Sequence, residues 1–255
     1  MQIDLRERDY GPCPYLEDRR WRVQEFSAAF LEPGLYEALL AEGWRRSGAT
    51  FYRDVCPGCR LCVPIRLDSL TFTPSRSQRR VARLNEDIGV EVVEAAFSEE
   101  RFALYRSYVR ARHSAGREEA GAEDGEIERA SYSAFLLGGP LRGEAGGGSR
   151  IVEYRDAAGS LVATGYVDFL PDGLSSVYFA FEPGEARRSL GTWSVLRELE
   201  LAREAGKRYY YLGFWVPGSP KMDYKASFRP FERAADGSWI LASDRREALA
   251  AMGTR

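Results

Sequence analysis

The sequence predicts a mixed α+β fold, a largely antiparallel mixed sheet flanked by helices, and three observations predict it. The C-terminal half orders its periodic segments as strand, strand, strand, helix, strand, not as a repeated strand-helix unit. An Asp-Gly pair at 172–173 separates two alternating apolar runs, as in a hairpin. The chain has 255 residues, 44% of them apolar, enough to bury a sizeable core. Residues 1–75 read as a cysteine-bearing N-terminal region and residues 76–255 as the main domain.

Taken in order, GLYEALLAE at 34–42 carries Leu35, Leu39 and Leu40 at helical spacing, with Gly43 as terminator. Val63, Ile65 and Leu67 then alternate as a strand does. Arg76, Arg79, Arg80 and Arg83 follow in TPSRSQRRVARLN, a strongly positive stretch. Ser98 before Glu99 and Glu100 reads as an N-cap with acids at the positive end of the helix dipole. Phe102, Tyr105 and Val109 give that helix its apolar face, and Arg110, Arg112 and His113 close its last turn.

Residues 114–130 and 138–149 are rich in Gly, Ala and Glu, and are expected to be mobile loops flanking a short helical piece from Tyr132 to Leu137. Strands are expected at IVEY, LVATGYVDFL and LSSVYFAFE. A helix runs from Thr192 to Ala205, with Val195, Leu199 and Ala202 on one face and Gly206 as stop. In the strand RYYYLGFWV, Tyr210 should face away from Tyr209 and Tyr211. No internal repeat is visible.

Composition narrows the function classes. No apolar run reaches the roughly 20 residues that cross a bilayer, and MQIDLRERDY lacks the apolar core of a signal peptide, so a cytoplasmic protein is expected. With 36 basic and 38 acidic side chains the net charge of -2 does not announce a nucleic-acid partner, and local charge must decide. Cys13, Cys56, Cys59 and Cys62 are the only cysteines, the last three spaced C-x2-C-x2-C. That spacing suits zinc or an iron-sulfur cluster with Cys13 as fourth ligand; buried free thiols lining a tight loop are the alternative.

Several segments then stand together in order: CPYL from Cys13, GWRRSG from Gly43, YRDVCPGCRLCVPIRL, SRSQRR, SSVYFAFEP, SLGTWSVL, YYYLGFWVPGSPKMDYK and FRP. Together, from Cys13 to Phe231, they resemble the aminoacyl-tRNA-protein transferases, especially the bacterial leucyl-transferring branch. The resemblance implies an acetyltransferase-like, GNAT-related core. It also implies transfer of leucine, or alternatively arginine, from a charged tRNA to the N-terminal amine of proteins beginning with Asp or Glu, marking them for degradation. Charged tRNA and those proteins are the implied partners, a monomer is expected, and the chemistry requires no cofactor beyond the aminoacyl-tRNA co-substrate.

In that reaction an amine attacks an activated ester, so proximity and a few donors to the oxyanion suffice. A single histidine, His113, argues against a nucleophilic triad. Arg188, Ser189, Leu190, Gly191 and Thr192 lie where strands hand over to a helix, whose first amides suit a phosphate or an oxyanion; the resemblance turns them toward the tRNA acceptor end. Arg76, Arg79, Arg80 and Arg83 are read as contacts to RNA phosphates, with Arg45 and Arg46 extending the same face. Lys221, Tyr224, Lys225 and Tyr211 are candidate catalytic residues, the two lysines inviting an anion between them. Asp168 is the candidate for holding or deprotonating the amine, with Glu182 a second carboxylate nearby. Two other classes stay open: an acetyl-CoA-dependent N-acetyltransferase, and a non-catalytic RNA-binding module built on a cysteine metal site.

Overall fold

The computed structural model describes residues 4–114, 128–141 and 147–253. A small antiparallel sheet of β1 (Arg6–Pro12), β2 (Arg20–Ser27), β3 (Arg45–Ser47) and β4 (Thr50–Asp54) is ordered β1-β2-β4-β3. Between its second and third strands runs α1 (Pro33–Ala41), which Gly43, at φ +86°, turns back into the sheet.

The large sheet is built from β5 (Val63–Asp68), β6 (Gly89–Glu94), β7 (Gly148–Arg155), β8 (Leu161–Phe169), β9 (Gly173–Phe181), β10 (Tyr209–Trp215), β11 (Phe231–Ala235) and β12 (Ser238–Ala242). Its spatial order is β12-β11-β5-β10-β9-β8-β7-β6. Every pairing is antiparallel except β9 with β10. That parallel contact is short: Tyr209, Tyr210 and Tyr211 pair with Gly173, Leu174 and Ser175, after which β9 follows β8 and β10 follows β5. The sheet is therefore parted at its middle, and a parted sheet leaves a crevice beyond the strand ends.

Helices close both faces. On one, α5 (Leu190–Glu204) lays Val195, Leu196 and Leu199 against Leu67, Leu174 and Leu212, with α6 (Arg245–Gly253) contributing Ala248. Leu190 and Trp193 of α5 meet Val152, Tyr154 and Val167 on the same side. On the other face α3 (Glu99–Ser114) and α4 (Arg129–Tyr132), which runs on into a π-helical turn to Leu137, pack Phe102, Tyr132 and Leu136 on Ile151 and Tyr166. Neighbours such as Ile151 and Val152 go to opposite cores because strand side chains alternate. The α+β class, the 172–173 hairpin and the opposed facing of Tyr210 are as the sequence predicts: Tyr210 joins the α5 core, whereas Tyr209 and Tyr211 pack toward α1.

α2 (Arg76–Leu84) starts on a full capping box, Ser75 accepting from the Gln78 amide while the Gln78 side chain accepts from the Ser75 amide. The helix is latched at both ends: Gln78 Nε2 donates to Ser227 O at 3.3 Å, and Asn85 Nδ2 donates to Arg188 O at 3.0 Å.

Three readings differ from the sequence prediction. The strands at 6–12 and 20–27 were not expected, because RERDYGP is charged and solvent-facing and RWRVQEFS places charged residues among its buried ones, so neither shows a clear apolar alternation. The β11–β12 hairpin was also missed, although Asp236 and Gly237, at φ +48° and +73°, carry the same Asp-Gly signal as the hairpin that was recognised. The division near residue 75 does not follow the sheets, since β5 lies between β11 and β10 in the large sheet. The Gly/Ala/Glu-rich loops expected near 114–130 and 138–149 fall largely outside the described residues.

Candidate active site

A cavity of about 1300 Å³ opens where β9 and β10 part. It is lined by the first turn of α5 (Ser189, Leu190, Gly191, Thr192), by Lys221, Tyr224 and Lys225, by Tyr210, Leu212, Gly213 and Phe214 of β10, and by the small sheet through Glu25, Arg45 and Tyr52. Two segments read from sequence as one site, 189–192 and 221–225, thus border one space.

At the α5 end a 3₁₀ turn, Pro183–Arg188, delivers the chain to Ser189, which takes a left-handed conformation at φ +56° and makes no side-chain cap. The Thr192 amide is used by Ser189 O at 2.9 Å, but amides of a helix's first turn have no intrahelical acceptor of their own. A Cβ on Gly191 would meet nothing within 4 Å, so a ligand can approach the backbone closely there. Leu190 contributes backbone alone, because its side chain is buried in the α5 core.

At the other end the chain folds into a short 3₁₀ turn, Asp223–Ser227, held by Trp215 Nε1 donating to Asp223 at 2.9 Å. Lys225 Nζ donates to Leu212 O at 2.9 Å and passes 3.3 Å from where a Cβ of Gly213 would stand. Gly213, at φ +86°, sits at the bulge between β10 and β5, so both its backbone and its lack of a side chain are required. Burial, with the repulsion of Arg45 added, pushes the Lys225 ammonium down to about 7. Lys221 and Tyr224 are exposed at the rim.

β3 alternates two arginines with opposite fates. Arg46 is buried and neutralised: its Nε and Nη2 donate to the two oxygens of Asp168, each at 2.6 Å, and Ser149 Oγ donates to Asp168 at 2.7 Å. Arg45 is 6% exposed and lies over the Phe214 ring at 5.5 Å. Burial lowers its proton affinity from the ordinary value, the Tyr36, Tyr52 and Tyr211 phenols partly oppose this, and none of its three guanidinium nitrogens completes a hydrogen bond among the described residues.

Asp168 is therefore placed elsewhere than an amine base would be. It is fully buried, spent on Arg46 and Ser149, and not among the residues lining the cavity. Tyr211 also lies outside it, facing a separate hollow of about 530 Å³ with Glu37, Tyr209 and Trp239; its hydroxyl donates to Glu37 at 3.0 Å. The tyrosine that does line the cavity is Tyr210, whose hydroxyl donates to the buried Glu198 at 2.7 Å. Arg188 is paired with Asp87 and Glu185, both at 2.7 Å. Glu182 is not part of the lining. Arg45 and Arg46, read as an extension of an RNA face, are both buried; their place between Trp44 and Phe51 was the available signal. Arg76, Arg79, Arg80 and Arg83 are exposed on α2, next to the turn that leads into α5.

The cysteines sit in two loops of the N-terminal region, Cys13 after β1 and the other three between β4 and β5, all partly exposed. The Arg22 amide donates to Cys56 Sγ at 3.4 Å. Among the described residues no three Cys, His, Asp or Glu side chains form a group that could hold a metal ion. No helix among the described residues is long and apolar enough to cross a membrane.

Comparison with known proteins bears on the reaction. The family profile described as "Arginine-tRNA-protein transferase, N terminus" matches residues 11–80, and its C-terminal counterpart matches residues 100–235. A protein of Saccharophagus degradans named aspartate/glutamate leucyltransferase is 37% identical over 238 residues, covering 90% of this chain and 92% of its own. One of the same name from Dinoroseobacter shibae is 40% identical over 245 residues, covering 91% and 81%. Among solved structures, FemX aligns over 95% of this chain and 86% of its own at 10% identity and a TM-score of 0.47. A GCN5-related N-acetyltransferase from Kribbella flavida aligns over 86% and 66% at 17% identity and a TM-score of 0.37. The profile for each half of the molecule, and relatives that run along nine-tenths of it, give one conclusion: the chain belongs to the arginine-tRNA-protein transferase family.

Proposed function

We propose that this protein transfers leucine from leucyl-tRNA to the N-terminal amine of proteins that begin with Asp or Glu, marking them for degradation. The observation that carries the proposal is the single cavity lined by both the first turn of α5 and the lysine-bearing 221–225 segment. The α5 amides are suited to the ester end of the tRNA and to the oxyanion formed on attack, since a helix N-terminus offers N–H groups and positive potential. An N-terminal amine titrates near 8, so a useful fraction is neutral at cellular pH and no strong base is needed. The ester is already activated, and the protein's contribution is to hold amine and carbonyl in register while excluding water.

Leucine is preferred over arginine as the transferred residue for an electrostatic reason. A pocket for arginine should offer a carboxylate, and the one described carboxylate lining the cavity, Glu25, already pairs with Arg8 at 2.8 Å and accepts from Tyr10 at 2.9 Å. Val177, Phe179, Val195 and Leu212 supply apolar lining instead. The exposed arginines of α2 continue the surface from this cavity as a track for tRNA phosphates. A monomer is the working unit proposed, and charged tRNA as co-substrate makes the cytoplasm its place.

The test is label transfer from separately charged leucyl- and arginyl-tRNA to peptides starting with Asp, Glu or Ala. Transfer from leucyl-tRNA to the Asp and Glu peptides is expected. Transfer to the Ala peptide alone, or turnover with acetyl-CoA in place of tRNA, contradicts the proposal.

A further inference from the structure

Arg45 is a buried guanidinium that the protein leaves without a hydrogen-bond partner among the described residues, and it borders the cavity. Its neighbour Arg46 shows what the fold does with such a group when it is only structural: it donates two bonds to the Asp168 carboxylate. Leaving a desolvated charge unpaired is costly, and a site that keeps one is arranged for an anion that arrives from outside. Lys225 is a second cation at this place. It faces Gly213, next to the Phe214 ring over which Arg45 lies; burial lowers the lysine's proton affinity, and repulsion by Arg45 adds to the effect. Lys225 spends one N–H on Leu212 O, which leaves donors to spare.

We infer that Arg45 and Lys225 together form the subsite that receives the side-chain carboxylate of the acceptor's first residue, and so decide that Asp and Glu are accepted. This rests on the aminoacyl-transfer reading above. A planar guanidinium fork matches a carboxylate in two parallel bonds, and a lysine at its side adds a point charge. The assignment to a carboxylate and not to a tRNA phosphate follows from the elements involved. Amides suited to the tRNA end belong to α5, whereas Arg45 is on β3, lines the cavity with Tyr36 and Tyr52, and is nearly closed to solvent. A short side chain on a thin peptide end can reach such a place, and a nucleotide backbone is a poor fit to it. Asn and Gln ends, equal in shape, would leave both cations uncompensated.

The experiment compares acceptor peptides beginning with Asp, Asn, Glu and Gln in the wild type, Arg45→Gln and Lys225→Met, with leucyl-tRNA varied separately. In Arg45→Gln, kcat/KM for the Asp peptide is expected to fall about 100-fold or more while that for the Asn peptide changes little, so the Asp/Asn ratio collapses. Lys225→Met should reduce the same ratio about tenfold, and Arg45→Lys should restore part of it. KM for leucyl-tRNA should stay within about twofold throughout. Equal losses on all four peptides, or a rise in the tRNA KM matching the loss, overturns the assignment. Should Arg45→Gln fail to fold by circular dichroism, Lys225→Met decides by itself, an unchanged Asp/Asn ratio counting against the subsite. A wild type that transfers to no peptide refutes the reaction itself, whereas a wild type and variants that are all equally selective refute only the two cations.

Discussion

Two tyrosine hydroxyls stand in for water around Glu198. Tyr154 donates to one of its oxygens at 3.0 Å and Tyr210 to the other at 2.7 Å, and the residue is 1% exposed on the inner face of α5. Burial outweighs those bonds and pushes the carboxyl up to about 7. The folded state therefore keeps a proton that the unfolded chain, at its ordinary 4.5, releases. This contribution to stability is whole below about pH 4.5 and is lost as pH rises through about 7. Glu198→Gln, neutral at every pH, is expected to remove a stability difference of a few kcal/mol across that window. Urea unfolding of both proteins at about pH 5 and about pH 8 measures it, and parallel pH profiles contradict the assignment. Because Tyr210 joins this network to the cavity, the variant also reports whether the cavity depends on that bond. None of this was legible in sequence: Glu198 sits in an ordinary polar place in ELELARE, and its burial follows from the close approach of β8 at Gly165, where any Cβ would collide with it.

At the scale of elements, α2 joins the two halves of the candidate site. One end hangs on Ser227, just past the lysine segment, and the other on Arg188, just before α5. Arg76, Arg79, Arg80 and Arg83 remain free of buried work and face solvent. Substituting Arg79 and Arg83 with Ala is expected to lower the slope of log affinity for tRNA against log salt by about one to two, while the peptide KM stays unchanged. Binding of tRNA measured over a salt series decides this, and an unaltered slope removes α2 from the tRNA surface. The arginine cluster was read from the sequence, but the capping box in SRSQ that starts the helix was not, although a cap acts locally and the four residues carry its signal. The attachment of α2 to both ends of the cavity was not legible, because Gln78 meets Ser227 only through the fold.

For the whole molecule, the cavity exists because the large sheet changes sense at one place, between β9 and β10. A sheet antiparallel throughout would have continued its ladder there; a parallel pair that ends after Tyr211 leaves room instead. The activated ester needs no enzyme nucleophile, so direct attack of the amine is the expectation at this cavity. Mixing the protein with leucyl-tRNA alone is expected to give no leucyl-enzyme and no burst of free tRNA, with sequential kinetics when peptide is added. An acid-stable leucyl adduct recovered from that mixture ends the idea of direct attack.

The sequence by itself determined the α+β class, the hairpin at 172–173 and the α5 helix with its Gly206 stop. Each rests on interactions within a few residues or on a periodic pattern, which a linear chain displays. Only the tertiary structure decided that Asp168 pairs with Arg46, that Tyr210 and not Tyr211 borders the cavity, and that the buried Arg45 guanidinium completes no hydrogen bond among the described residues. Burial and partnership of a charge depend on groups brought together from distant parts of the chain, 122 residues apart for Arg46 and Asp168, and no local pattern encodes them.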